Sequence, residues 1–129
     1  MIKLWCCTFA DVPAMDPVME FAEENGAPIL FHSFKKSNGQ IPNETTGIHV
    51  ANIARRHPKT KILMAHLGGS ACDGIPAIRD LKNVWCDQSG TIYHGEDLIM
   101  RSKISVQIAF STAQTIFIWQ ISVRYWVRI

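Results

Sequence analysis

Four short apolar runs alternate with segments that carry helix signals, and this alternation constrains the fold more than any other feature. The runs are Ile2–Cys6, Pro28–His32, Lys61–His66 and Asn83–Asp87. Nearly continuous apolar runs of this length are typical of strands that are buried on both faces. Such strands form a parallel sheet covered by helices when helices alternate with them along the chain. The sequence therefore predicts an α/β domain.

Three segments between the apolar runs are predicted helices. The first begins at Asp16, an N-cap that precedes a proline, and ends before Gly26, which is a typical C-terminal stop. The second spans Thr46–Arg56, and its last turn is basic, as the helix dipole favours. The third spans Gly74–Leu81. The predicted order is therefore strand, helix, strand, helix, strand, helix, strand.

The composition excludes several classes of function. The chain has 129 residues, 47% of them hydrophobic, and a net charge of +2, so it is too apolar for a disordered tail and not basic enough to bind a nucleic-acid backbone. Its four cysteines show no C-x-x-C spacing, which predicts reduced thiols in a cytoplasmic protein. The sequence shows no signal-peptide pattern, and the uncharged stretch Ile104–Val123 is too polar to span a membrane.

Two histidines occupy equivalent places, since His32 ends the second predicted strand and His66 ends the third. A closed eight-unit barrel and an open doubly wound sheet both fit the pattern, but the phosphate-binding glycine fingerprints of the open sheet are absent. In a barrel the carboxyl ends of the strands meet at one mouth, so both rings should face one cleft. Each histidine taken alone also fits a capping or core role. His49 and His57 are expected to face solvent, and His94 is assigned no role.

Three blocks of the sequence carry a resemblance to a known family. They read MDPVMEFAEENGAPILFH, NETTGIHVANIARRHPKTKILMAHLGG and AIRDLKNVWCDQSG. In this order they resemble the amidohydrolase-related metal-dependent hydrolases with a TIM-barrel fold, in the branch that includes aminocarboxymuconate-semialdehyde decarboxylase. The resemblance covers about residues 1–90. It implies a partial (β/α)8 barrel in which the predicted strands are the fourth to seventh of eight.

The resemblance also implies a set of site residues. In the family a divalent metal, usually zinc, is held by an H-x-H pair on the first strand, a histidine that ends the fifth and an aspartate that ends the eighth. The histidine that ends the sixth strand lies beside the metal as a catalytic group. By position, His32 matches the metal ligand and His66 the catalytic residue. Lys3 matches a fourth-strand lysine, for which we expect a packing or substrate-contacting role.

Two departures separate the chain from an intact family member. It contains no H-x-H pair and starts at the predicted fourth strand, whereas a whole barrel typically needs ~250 residues. It also contains no Gly or Asp after Asp97, so the eighth-strand aspartate is missing. We back-translated Val106–Gln120 with all possible codons and read the bases in the frame that starts at the third position of each codon. In this frame they are compatible with A-D-R-I-Q-Y-G-T-D-N-I-Y-L-A-N, which contains the family motif. We therefore expect residues 1–99 to be a barrel fragment and residues 100–129 to be a frame-shifted tail.

The resemblance implies an intact parent that hydrolyses a C–N or ester bond of a small-molecule substrate with a metal-activated water. Metal-assisted decarboxylation, which is a lyase reaction, is the alternative chemistry. A half-barrel that serves as a binding or assembly module is the alternative class, because open sheet edges invite self-association. We expect this chain itself to bind zinc weakly or not at all and to be inactive, with neither nucleic acid nor membrane as a partner.

Deletion of Met100–Ile129 tests the assignment of the tail. Large β-forming side chains recur with a strand period from Phe117 to Ile129 and charges are few, which makes the segment an aggregation hazard. If the tail is frame-shifted, its removal leaves the soluble yield and the thermal midpoint unchanged or raises them. A shortened chain that has lost its circular-dichroism signal of folding would contradict this assignment.

Overall fold

The computed structural model describes residues 1–5, 8–35, 40–87 and 89, together with the backbone of 108–109 and 126–127. Its strands are β1 (Ile2–Leu4), β2 (Ile29–Phe31), β3 (Ile62–Met64), β4 (Val84–Cys86), β5 (Ile108–Ala109) and β6 (Trp126–Val127). Its α-helices are α1 (Asp16–Glu24), α2 (Gly47–Arg56) and α3 (Ala71–Ile78). The four predicted strands and three predicted helices are therefore confirmed, and each strand is shorter than its apolar run. Within these residues, no helix has the length and apolar character that crossing a bilayer requires.

The strands form one sheet whose spatial order equals their order in the chain, from β1 to β6. The pairs from β1 to β5 are parallel, whereas β6 is antiparallel to β5. In a barrel each parallel strand lies beside the next strand of the sequence, whereas a doubly wound sheet reverses its order at a switch point. The observed order therefore favours the barrel over the open sheet.

The two faces of the sheet carry different side chains, because successive residues of a strand alternate between them. The face that the helices cover buries Ile29, Phe31, Ile62, Met64, Val84 and Cys86. The opposite face carries a row of residues in register across four strands, namely Lys3, Leu30, Leu63 and Trp85. Because His32 follows Leu30 by two residues, it belongs to this second face, away from the helices.

Strand β1 was predicted to be buried on both faces, and this prediction is wrong. Lys3 is exposed, and Ile2 and Leu4 are half-buried. Among the described residues β1 pairs with β2 alone, so its other edge lacks the neighbour that the inner strands have. The inner strands β2 and β3 do show the predicted burial at every residue.

Asp16 does not cap α1 as predicted, because its carboxylate is turned towards the end of α2. Asp16 is the first residue of α1, and its Oδ1 lies 2.7 Å from Arg56 Nη2 and 2.9 Å from His57 Nε2. The hydrogen bond from His57, followed by that from Arg56, holds the pKa of Asp16 below its usual range. His57 is consequently packed against Asp16, and the prediction that it faces solvent is wrong.

His49 also lies against the protein, although it was predicted to face solvent. Its Nδ1 accepts a hydrogen bond from the Thr46 backbone N–H at 3.0 Å. Its ring stacks on Phe9 with 4.3 Å between the centroids. The position of His49 in the first turn of α2 explains the difference, since a side chain there can satisfy a backbone donor that has no partner within the helix.

Three glycines bring α2, α3 and the turn after β3 into backbone contact. Gly74 was predicted to begin α3, but the helix begins at Ala71 and Gly74 lies inside it. A Cβ atom on Gly74 would lie 2.1 Å from the Leu67 carbonyl oxygen, and one on Gly47 would lie 2.5 Å from the Gly74 Cα. Gly68 belongs to the same contact, with a φ of +77°. The turn after β3 therefore has its position fixed by main-chain atoms.

The substitution Gly74→Ala tests this contact. We expect it to lower the free energy of unfolding by about 3 kcal/mol, at the upper end of the cost of overpacking, because backbone atoms cannot move aside as a flexible side chain can. Gly26→Ala is the control, since Gly26 has a φ of +61° but nothing within 4 Å of an added Cβ, so backbone strain alone should cost about 1 kcal/mol. Urea denaturation measures the free energy of unfolding of both variants. Equal losses of stability in Gly74→Ala and Gly26→Ala would contradict the backbone contact at Gly74.

Candidate active site at the ends of β2 and β3

The structure brings the two predicted site histidines together. The centroids of the His32 and His66 rings are 5.0 Å apart, and the ring planes meet at 74°. His32 directly follows β2, and His66 lies in the turn after β3, its parallel neighbour. The expected meeting of the rings at one end of adjacent strands is therefore observed. The metal-binding and catalytic roles assigned to them stay predictions.

The turn that carries His66 has an unusual backbone. His66 and Leu67 have φ angles of +56° and +53°, in the left-handed region that side chains other than glycine rarely adopt. Each such residue costs roughly 1–2 kcal/mol. Asp87, directly after β4, holds the turn in place: its Oδ1 accepts the His66 backbone N–H at 3.0 Å, and its carbonyl accepts the Leu67 N–H at 2.9 Å.

A main-chain carbonyl fixes the protonation pattern of the His66 ring. The Nδ1 atom lies 2.6 Å from the Ser89 carbonyl oxygen. Since a carbonyl oxygen can only accept, Nδ1 carries the proton and the neutral ring has its lone pair on Nε2. Ser89 is in turn held by Asp87, whose Oδ1 accepts the Ser89 backbone N–H at 2.9 Å and its hydroxyl at 2.5 Å. In the described part of the chain, Nε2 of His66 has no hydrogen-bond partner.

The His32 ring is held on one face and at one edge. It stacks on the Trp5 ring with 4.7 Å between the centroids and 25° between the planes. Its Nε2 lies 3.1 Å from Oε1 of Glu44, a residue of the loop before α2. The next residue, Ser33, is fully buried and donates its hydroxyl hydrogen to the Ala65 carbonyl at 2.6 Å, which ties the end of β2 to the turn after β3.

Aromatic side chains surround the two imidazoles. Phe34 lies edge-on to His66, with 5.3 Å between the centroids, and 6.1 Å from the His32 ring. Trp5 is 64% exposed, and the Lys3 Nζ atom lies 5.3 Å from the centre of its ring. Lys3 therefore makes a cation–π contact with Trp5, the residue that stacks on His32. This contact is compatible with either of its two expected roles.

A groove of about 860 Å³ is lined by residues that include Gly47, Gly68 and Asp73, and neither His32 nor His66 is among its lining residues. Lys35 and Asp73 are part of its lining and form an ion pair of 2.7 Å. Their hydrogen bond raises the pKa of Lys35 and lowers that of Asp73. Since both side chains are 60% exposed, solvent screens this pair, and we place the candidate active site at the histidines instead.

The described residues fit a divalent metal in ligand type but not in number. Imidazole is a common ligand for zinc, and His32 and His66 provide two rings side by side. A catalytic zinc site normally has three protein ligands. Among the residues that the structure describes, no group of three or more His, Cys, Asp or Glu side chains could hold a metal ion. Of the cysteines, Cys72 is exposed and Cys86 is buried.

Several residues of the site, among them Glu44, Ser89, Trp5 and Asp87, were not identified as such from the sequence. Glu44 and Ser89 lie in segments without a periodic pattern, and Trp5 was interpreted only as part of a strand. Asp87 was noticed as a polar residue at a strand end, which is the signal that could have identified it. Its contacts with the main chain of a different connection could not be inferred from that signal.

Comparison with known proteins places the chain in a family. The family model described as amidohydrolase matches residues 4–116, and the chain belongs to this family. The family is generally metal-dependent. The match continues past residue 99, where the tail was predicted to begin. The predicted tail lies outside the described residues apart from the backbone of 108–109 and 126–127, so its frame-shifted origin stays a prediction. No curated protein matches the chain.

Solved structures of TIM-barrel proteins share the fold. Amidohydrolase 2 from Bifidobacterium longum subsp. infantis has a TM-score of 0.61 and 15% identity, over 83% of this chain and 43% of that one. An uncharacterised TIM-barrel protein from Bordetella bronchiseptica has a TM-score of 0.64 and 16% identity, over 82% and 40%. A 5-carboxyvanillate decarboxylase from Sphingomonas paucimobilis has a TM-score of 0.54 and 15% identity, over 90% and 47%. The chain therefore has the fold of a partial barrel and spans less than half the length of these structures.

The substitution Asp87→Ala tests whether this carboxylate holds the turn. It would leave the backbone N–H groups of His66 and Ser89 without an acceptor, so we expect the free energy of unfolding to fall by about 1–3 kcal/mol. Asp87→Asn should cost less, because an amide oxygen can still accept. Asp73→Ala, at an exposed ion pair, is the control and should change little. Urea denaturation gives all three values, and a loss in Asp87→Ala no larger than in the control would disprove the assignment.

Proposed function

We propose that this chain contributes the fifth-strand and sixth-strand histidines to the active site of a metal-dependent amidohydrolase, whose whole form hydrolyses a C–N or ester bond of a small molecule. The observation that carries this proposal is the 5.0 Å separation of the His32 and His66 rings at the carboxyl ends of adjacent parallel strands. The carboxyl ends of barrel strands are where the active sites of this fold lie.

The two histidines have different roles in this proposal. His32 would hold the metal, which lowers the pKa of a bound water towards ~7 when it is present. His66 would accept or donate a proton at Nε2, since the Ser89 carbonyl already occupies its Nδ1–H. Trp5 and Phe34 would contact the substrate, because they border the rings, and Lys3 would do so from its place against Trp5.

The chain alone is proposed to be inactive and to bind zinc weakly or not at all. Two imidazoles lack the third protein ligand that catalytic zinc sites normally have. We further propose a cytoplasmic location, because the cysteine spacing favours reduced thiols, and no nucleic-acid or membrane partner, because the net charge is only +2.

Two alternatives to the proposed hydrolase function are each supported by one observation. Metal-assisted decarboxylation is one, because a similar structure is that of a 5-carboxyvanillate decarboxylase. A half-barrel module that self-associates is the other, because β1 pairs on one side only among the described residues. An in-frame H-x-H pair encoded upstream of Met1 would support the broken enzyme, and its absence would support the module.

Zinc titration of the whole chain tests the proposed site. We expect substoichiometric zinc after dialysis against a chelator, and a further loss of affinity of roughly tenfold or more in His32→Ala. His94→Ala, which removes a histidine without an assigned role, is the control. Zinc binding that His32→Ala leaves unchanged would refute the site. Stoichiometric zinc that survives the chelator, or hydrolysis of an amide or a lactone that disappears in His32→Ala, would instead refute the proposal that the chain alone is inactive and binds zinc weakly.

A further inference from the structure

Glu44 is buried to an unusual degree for a carboxylate. The residue is 2% exposed, and its side chain is fully enclosed. A buried charge is costly unless hydrogen bonds compensate it. Glu44 accepts hydrogen bonds at Oε2 from Gln40 Nε2 at 2.9 Å and from the Ile41 backbone N–H at 3.3 Å, and its Oε1 lies 3.1 Å from His32 Nε2. The loop before α2 thus delivers a carboxylate to one edge of a site histidine.

The contact determines which nitrogen of His32 carries the proton. A carboxylate oxygen accepts in a hydrogen bond with imidazole, so Nε2 is protonated and the lone pair of the neutral ring is on Nδ1. In His66 the arrangement is reversed, because the Ser89 carbonyl accepts from Nδ1. The two adjacent rings therefore have opposite tautomers, each fixed by an acceptor from a different connection.

We propose that Glu44 is the positioning residue of His32: its buried carboxylate holds the imidazole as the Nε2–H tautomer and leaves the lone pair of the neutral ring on Nδ1. The role of His32 in a site rests on the proposed function, whereas its tautomer and orientation do not. A carboxylate on the second nitrogen of a metal-binding histidine fixes the ring and raises its basicity. The stack of Trp5 on the same ring, at 4.7 Å, limits its rotation.

The substitution Glu44→Gln should invert the tautomer of His32. The Ile41 backbone N–H can only donate, so the amide oxygen of Gln at position 44 should turn towards it. The amide NH2 group then faces His32 Nε2, which must accept, and the proton moves to Nδ1. Glu24→Gln, on the exposed part of α1, removes the same charge and should leave the tautomer unchanged.

The experiment is long-range 1H–15N correlation of the histidine rings in the whole 15N-labelled chain at about pH 8, where free imidazole is neutral. The unaltered chain should show a protonated Nε2 in His32 and a protonated Nδ1 in His66, which serves as the internal reference. Glu44→Gln should show His32 protonated at Nδ1. His32 protonated at Nδ1 in the unaltered chain would overturn the proposal without any variant, and an unchanged tautomer in a folded Glu44→Gln chain would overturn the role of Glu44.

Discussion

The hydrogen bonds that Asp87 accepts from the turn after β3 are the interaction on which the candidate site depends. The left-handed conformations of His66 and Leu67 each cost roughly 1–2 kcal/mol, so this turn requires compensation from outside itself. Asp87 provides it with both its carboxylate and its carbonyl. A relaxed turn would carry the His66 ring away from His32, and the site would lose its second imidazole.

The sequence predicts the sheet and the histidine pair well, because both follow from regular patterns. Buried parallel strands appear as apolar runs, and residues that end adjacent strands must lie at one edge of the sheet. His32 and His66 could therefore be paired without knowledge of any loop. This reasoning predicts positions relative to a strand. The orientation of each ring depends on its contacts with residues of the loops, Glu44 for His32 and Ser89 for His66.

The contacts that could not be predicted from the sequence depend on which of several polar groups becomes the hydrogen-bond partner of a side chain in the folded protein. Asp16 has the pattern of an N-cap, but two hydrogen-bond donors at the end of α2, Arg56 and His57, compete for its carboxylate. Glu44 resembles a solvated loop residue, and only the fold of that loop encloses it. Single-residue propensities include neither competition nor enclosure, because both arise from segments that are distant in the sequence.

The glycine contact among Gly47, Gly68 and Gly74 has a consequence for the motion of the site. Side chains in a packed interface can exchange rotamers, and the elements they separate then move with them. No side chain separates these three backbones, so no rotamer change can alter the distance between the turn after β3 and its two helices. Fast side-chain fluctuations in the helix layer are thereby uncoupled from the turn that carries His66, and the main chain of that turn moves relative to the two helices only as far as the backbone itself deforms.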